Sequence, residues 1–176
     1  MEKLIIGSRG SKLALKYAEI AKKAFLKELD IEIEIKKITT DGDLVLDRRT
    51  SEIGGKGEFI KNIEKELISK NIDVAVHSLK DVPSFKTKGV RTECFLKRND
   101  PQEVLINKEN LTLDKIKKNS VIGTSSLRRE FQLKHLRPDL NFKLIRGNID
   151  TRIKKLDEDQ YDSIILAKAG LMSLSL

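Results

Sequence analysis

Short apolar runs alternate with amphipathic helical stretches along almost the whole chain, and this alternation constrains the fold more than any other feature. Residues 3–8 (KLIIGS) read as a strand. Between residues 11 and 29, Leu13, Ala14, Tyr17, Ile20, Ala21, Ala24 and Phe25 recur at helical spacing. Residues 31–38 begin as IEIEI, the period of two expected of a half-buried strand. A helical pattern at 57–69 and strands at 73–77 and 90–96 follow. After the polar stretch KRNDPQE, which carries Pro101, strands are expected at 104–107, 121–123, 142–145 and 163–166. Helices are expected between them at 126–136 and 149–156. Repeated strand–helix units predict an α/β fold with mixed, largely parallel sheets. KRNDPQE is the best internal boundary, so 1–97 and 98–176 are expected as two domains. There is no fixed-period repeat. Residues 42–57 (GDLVLDRRTSEIGGKG) fit neither period and are expected to form a long loop, of the kind that often serves as a lid.

Composition removes several function classes. A chain of 176 residues can bury roughly 70% of its unfolded surface, so it needs no disulfide or metal staple. Its single cysteine rules out an internal disulfide framework, and Cys94, in the apolar run 90–96, is expected as a small core residue. Two histidines, His77 and His135, leave little for a zinc site, and nothing near Asp41 and Asp43 completes a metal site. No apolar run is long enough to span a membrane, and MEKLIIGSRGSK lacks the pattern of a signal peptide, so a cytoplasmic protein is expected. The net charge of +8 favours anionic partners. Nucleic acid is disfavoured, because aromatic residues are only 5%, Trp is absent and no helix has a uniformly basic face. The chain stops at the apolar AGLMSLSL, just after a strand-to-helix transition, and is expected to be part of a longer protein.

The chemistry is expected where strands end, because open α/β sheets place ligands beyond the carboxyl ends of their strands. In IIGSRGSKLAL, a strand runs into Arg9 and Gly10, and Ser11 is a good helix N-cap. In VIGTSSLRREFQL, Thr124, Ser125 and Ser126 precede Arg128 and Arg129 in the first helical turn. In LIRGNIDTRIKKL, Arg146 ends a strand and Arg152 lies in the first turn of the next helix. Cations at helix N-termini oppose the macrodipole, at roughly 0.3–1 kcal/mol each, whereas the free N–H groups there attract anions. Three such junctions point to a ligand with several anionic groups, gripped by guanidinium groups. The bland alternative is that these arginines pair with Asp or Glu on neighbouring loops. In the fourth junction, DVAVHSLKDVP, Ser78, Lys80 and Asp81 follow a strand at once. Asp81 there is a candidate for charge stabilisation or acid–base work, or else a turn residue before Pro83. His77 is expected in the core or in a wall of the site. GGKG at 54–57 lacks the spacing of a phosphate-binding loop, but Lys56 would meet an anionic ligand if the loop closes.

GSRGSKLAL, GGKGEF, DVAVHSLKDVP, DPQEVL, GTSSLRREFQL, RPDL, IRGNIDTRIKKL and YDSIILAKAGL occur in this order. Together they resemble the porphobilinogen deaminase, or hydroxymethylbilane synthase, family over essentially all 176 residues. The resemblance implies two lobes like those of periplasmic binding proteins, with the active site in the cleft between them. A third α+β domain, absent from this chain, carries the cysteine that holds a dipyrromethane cofactor through a thioether. The implied reaction joins four porphobilinogen molecules head to tail, releases ammonia and yields hydroxymethylbilane. By resemblance Asp81 matches the catalytic aspartate, placed to stabilise the cation formed as ammonia leaves. Arg9, Ser11, Arg128, Arg129, Arg146 and Arg152 match residues that bind the acetate and propionate groups of cofactor and substrate. Ser78, Lys80, Thr124, Ser125 and Ser126 match further cofactor contacts, and Lys56 the lysine of the lid. A monomer is implied.

The departures from the family pattern are Ser8, where Thr is usual, Glu52, where the lid often carries a basic residue, and Ser173, where Arg is frequent. Cys94 lies outside the family's attachment motif. A non-catalytic two-lobed module that binds polycarboxylates is the alternative from another functional class.

Overall fold

A computed structural model describes residues 3–40, 57, 60–84 and 87–176. These residues form two compact units, one running to Arg98 and the other from Asn99 to Leu176.

The first unit opens with strand β1 (Lys3–Arg9), followed by helix α1 (Lys12–Phe25), strand β2 (Glu32–Ile38), helix α2 (Lys61–Ile68) and the two-residue strand β3 (Val74–Ala75). The sheet order is β2-β1-β3 and both pairings are parallel. β2 keeps its alternation: Ile33 is buried between exposed Glu32 and Glu34. Helix α1 turns Ala18 and Ala21 inward, and Ile6, Ala18 and Ile33 form a core cluster with Phe25 packed against it. Gly7 leaves room for Ile72, whose Cδ1 would stand 2.3 Å from a Cβ there and would have to shift to admit one. After β3 the chain enters a single 3-10 turn, Leu79–Asp81.

The second unit contains β4 (Glu103–Ile106), β5 (Val121–Gly123), α3 (Leu127–Leu136), β6 (Asn141–Lys143), α4 (Ile149–Asp157), β7 (Ser163–Ala167) and α5 (Lys168–Ser173). The sheet order is β4-β7-β5-β6, with β4 antiparallel to β7 and the other pairings parallel. β7 reads SIILA and its first four residues are buried, as expected of a strand covered on both faces. Ile164 joins Ile145, Leu156, Tyr161 and Leu166 in one core cluster, while Ile165 joins Ile116, Ile122 and Leu140 in another. Each fully buried Ile contributes about 1.5–3 kcal/mol through burial.

The mixed, largely parallel α/β architecture is the one predicted. Two local expectations are corrected. Residues 90–96 are not a strand, and Cys94 is exposed rather than in the core. Among the described residues no strand pairs with this segment, and Phe95 and Leu96 stay open to solvent. Apolar composition does not make a strand where no neighbouring ladder takes its N–H and C=O groups. The strand expected at 73–77 is confined to Val74–Ala75, because only these residues pair with β1. The expected loop at 42–57 lies, apart from Gly57, outside the described residues, as do Lys56 and Glu52.

Candidate functional site

In each unit the candidate residues gather where β-strands end. In the first unit, Ser8 is fully buried near the end of β1, Arg9 closes the strand, and the Ser11 side chain accepts the Ala14 N–H at 3.3 Å to cap α1. Ser78 precedes the 3-10 turn, and its carbonyl accepts the Asp81 N–H at 2.9 Å. Lys80 is exposed on that turn, whereas Asp81 is half-buried. Burial pushes the Asp81 carboxyl above its ordinary range, although the charges of Lys80 and Arg9 pull the other way. His77 lies beside the same arginine. Burial, aided by Arg9, holds its imidazole down at about 4, so it is neutral at physiological pH. Its Nε2 is buried with no hydrogen-bond partner among the described residues. Arg9, His77 and Asp81 are therefore electrostatic neighbours, drawn together because β1 and β3 are adjacent and parallel.

In the second unit, Thr124 is buried just beyond β5. Its N–H donates to the Lys143 carbonyl at 3.1 Å, and its Oγ1 accepts the Ser126 N–H at 3.2 Å. Ser125 follows, and Ser126 caps α3 by accepting the Arg129 N–H at 3.4 Å. Arg128 and Arg129 occupy the first turn of α3. Beyond β6, Arg146 is only 6% exposed. Gly147 then takes a φ of +112°, where a Cβ would stand 2.7 Å from Thr151 Cγ2, so this turn needs glycine. Arg152, in the first turn of α4, donates its Nε to the Gly147 carbonyl at 2.8 Å. Burial pushes Arg152 down to about 10, and the charges of Arg129 and Arg146 add to the effect. It stays charged at neutral pH. Three guanidinium groups from different segments thus crowd one another at strand ends and helix N-termini. Such a concentration of donors and positive charge suits an anion with several carboxylates.

Other arginines have a structural use. Arg137, in RPDL, donates to Asp139 Oδ1 and Oδ2 at 2.8 and 2.7 Å, to the Ile116 carbonyl at 2.8 Å and to the Leu113 carbonyl. The alternative that arginines pair with nearby carboxylates also holds at one junction. Arg128 and Arg129 share the carboxylate of Glu103, at 2.5 and 2.6 Å. Sequence reasoning missed Glu103. Its only signal is an acidic residue opening the apolar run of DPQEVL. Ser173, where the family frequently has Arg, turns its hydroxyl back to the Ala169 carbonyl at 2.7 Å. Among the described residues no group of three His, Cys, Asp or Glu is placed to hold a metal ion, and no helix is long and apolar enough to cross a membrane.

Solved structures of low sequence identity match the chain. A solved lipoprotein structure from Actinomyces odontolyticus matches 98% of this chain and 72% of its own, with a TM-score of 0.50 and 13% identity. An ancestral arginine-binding protein bound to glutamine matches 99% of this chain and 73% of its own, with a TM-score of 0.44 and 17% identity. The first of these likenesses speaks to fold alone. The sequence comparisons speak to descent. Porphobilinogen deaminases from Staphylococcus aureus strains JH9 and Newman are each 49% identical over 172 residues, covering 97% of this chain and 56% of their own length. The chain therefore spans a little over half the length of these relatives. The family model described as "Porphobilinogen deaminase, dipyromethane cofactor binding domain" matches residues 4–176. With motifs, fold and this near-complete match in agreement, the chain belongs to the porphobilinogen deaminase family.

Proposed function

We propose that the complete protein is a hydroxymethylbilane synthase that condenses four porphobilinogen molecules head to tail with release of ammonia, acting as a cytoplasmic monomer. Residues 1–97 and 98–176 are its first two lobes. The observation that carries this reading is the gathering of Arg129, Arg146 and Arg152 around one site, where burial holds Arg152 down at about 10 and the charges of the other two add to the effect. Porphobilinogen and a dipyrromethane carry two carboxylates on every pyrrole, so either would offset this charge. The buried Nε of Arg129, without a hydrogen-bond partner among the described residues, also supports the fit, as a donor to a ligand. When bound, the dipyrromethane supplies the pyrrole carbon to which substrate units are added.

This chain's own residues bind and orient. Arg128, Arg129, Arg146 and Arg152 take ligand carboxylates, assisted by Thr124, Ser125 and the N-terminal amides behind Ser126. Arg9, Ser11, Ser78 and Lys80 serve the same purpose in the first unit, and Lys56 is assigned to it by the family resemblance alone. Asp81 carries the chemistry. A half-buried carboxylate, costly to ionise because it has lost solvent, interacts strongly with a cation that develops beside it. Here that cation is the pyrrole of porphobilinogen as its amine departs.

The test is Asp81→Asn in the complete protein, assayed by ammonia release from porphobilinogen. The amide keeps the shape and loses the charge, so turnover is expected to fall by at least about 10²-fold with the fold intact. Near-normal turnover would overturn the assignment. A stable porphobilinogen complex that never releases ammonia, already in the unsubstituted protein, would favour a binding module instead.

A further inference from the structure

Glu103 opens β4, the antiparallel edge strand of the second unit. Its two oxygens accept from different arginines: Oε1 from Arg128 at 2.5 Å and Oε2 from Arg129 at 2.6 Å. One carboxylate spanning two guanidinium groups is the contact that a ligand carboxylate makes with an arginine pair. Burial raises the Glu103 carboxyl, but hydrogen bonds from Arg128 and Arg129 outweigh it, and the net position is below the usual glutamate range. Glu103 is therefore ionised at neutral pH.

The two arginines differ in freedom. Arg129 is 14% exposed and tied by a second bond to the Ile165 carbonyl at 3.0 Å, whereas Arg128 is 60% exposed and reaches Gln132 at 3.2 Å. A groove of about 460 Å³, lined in part by Leu133 and Ile165, opens beside Glu103 and Arg129.

We propose that Glu103 is a built-in competitor for the arginine site, exchanging with ligand carboxylates at Arg128 and Arg129 and so setting the affinity a ligand needs to occupy it. A monocarboxylate that displaced Glu103 would merely replace one carboxylate by another. A polycarboxylate also engages Arg146 and Arg152, which the glutamate does not reach. Glu103 thus sets an affinity threshold, equal for every carboxylate that displaces it, which a ligand passes by its further contacts with Arg146 and Arg152.

This inference rests on the anion-site reading above, and its test separates the two. The full 176-residue chain is titrated calorimetrically with tricarballylate, a tricarboxylate without a pyrrole, and with propionate. In Glu103→Gln, which removes the charge and keeps the shape, tricarballylate is expected to bind about 3- to 5-fold tighter. Propionate, which has to displace the same glutamate, is expected to tighten by a similar factor. Glu103→Asp, which keeps the charge but is too short to span both arginines, is expected to fall between Gln and the unsubstituted chain, and it serves if the Gln variant fails to fold. Unchanged or weaker tricarballylate binding in the folded variants overturns the proposal, because a purely structural ion pair predicts loss. Arg152→Gln is the control for the anion site: tricarballylate binding that survives it counts against that site, whatever Glu103 does. Ammonia release from porphobilinogen plays no part in these titrations, so a failure of the catalytic reading leaves them standing.

Discussion

The two units are built on one plan and end in opposite chemistry. Setting aside the antiparallel β4 of the second unit, in each the first strand is central and the next two flank it in parallel, giving β2-β1-β3 in one and β6-β5-β7 in the other. In each, a serine caps the helix that follows the first strand, Ser11 for α1 and Ser126 for α3. In each, an aspartate just before the third strand clamps the first. Asp73 Oδ2 accepts the Ile5 N–H at 2.8 Å while its own N–H donates to the Ile5 carbonyl at 2.9 Å. Asp162 does the same to Val121, at 2.6 and 3.0 Å. The difference comes after the third strand. β3 stops after two residues and its chain turns at once to present Asp81, whereas β7 runs for five residues, feeds α5 and gains β4 on its outer edge. One unit offers a half-buried carboxylate and the other a cluster of guanidinium groups with a glutamate partner. A shared scaffold leaves the strand ends free to diverge, and that is where their chemistry separates.

The largest expected effect tests whether the two cores are equivalent. Ile6 and Ile164 are both fully buried, each in the core of its own unit. Ile6→Ala and Ile164→Ala should each reduce stability by about 2–5 kcal/mol, read by chemical denaturation and by hydrogen exchange in the affected unit. A loss below about 1 kcal/mol in one unit only would break the equivalence.

Acid should separate the units by somewhat less. His77 is held at about 4, below its ordinary 6.5, so its contribution is complete above pH 6.5 and is lost as pH falls from 6.5 through about 4. The difference corresponds to about 3 kcal/mol at most. Asp81 acts in the opposite sense. Its raised value gives a contribution present below pH 3.8 that disappears as pH rises through the folded-state value. In the second unit, Glu103 and Asp139 are held below their ordinary 4.5 and 3.8, so their contributions are lost only at lower pH still. Hydrogen exchange, corrected for its intrinsic pH dependence, should show β1 losing protection before β5 between pH 6.5 and 4.5. His77→Phe should abolish the difference, and parallel loss in both units of the unsubstituted chain would count against it.

The smallest effect concerns the paired caps. Ser11→Ala and Ser126→Ala should each cost about 0.5–1 kcal/mol in thermal or chemical melts, because each removes one side-chain acceptor from a helix N-terminus. Costs that differ by more than this would show that one serine does more than cap.

Much of this architecture was legible in the residues themselves. IEIEI marked β2, the apolar spacing of 11–29 marked α1, and the Ser-capped junctions marked where helices begin, because periodicity and capping are local properties of a chain. The arginines at 128, 129, 146 and 152 stood out for the same reason: a cation at a helix N-terminus is unfavourable locally and invites a non-local cause. What the sequence could not supply were facts that depend on which segments become neighbours. The likeness of the two units is invisible as a repeat, since it lies in strand order and in the clamps of Asp73 and Asp162 rather than in matching residues. The failure of 90–96 to form a strand is equally non-local, for a strand exists only when a neighbour supplies its ladder. Glu103 belongs here too. Nothing near it in sequence distinguishes it from any exposed acid, and only the antiparallel pairing of β4 with β7 carries its carboxylate to Arg128 and Arg129. The sequence by itself determined the local elements and the kinds of charge they carry, whereas tertiary structure decided which charges meet, because electrostatic contact depends on separation in space and not along the chain.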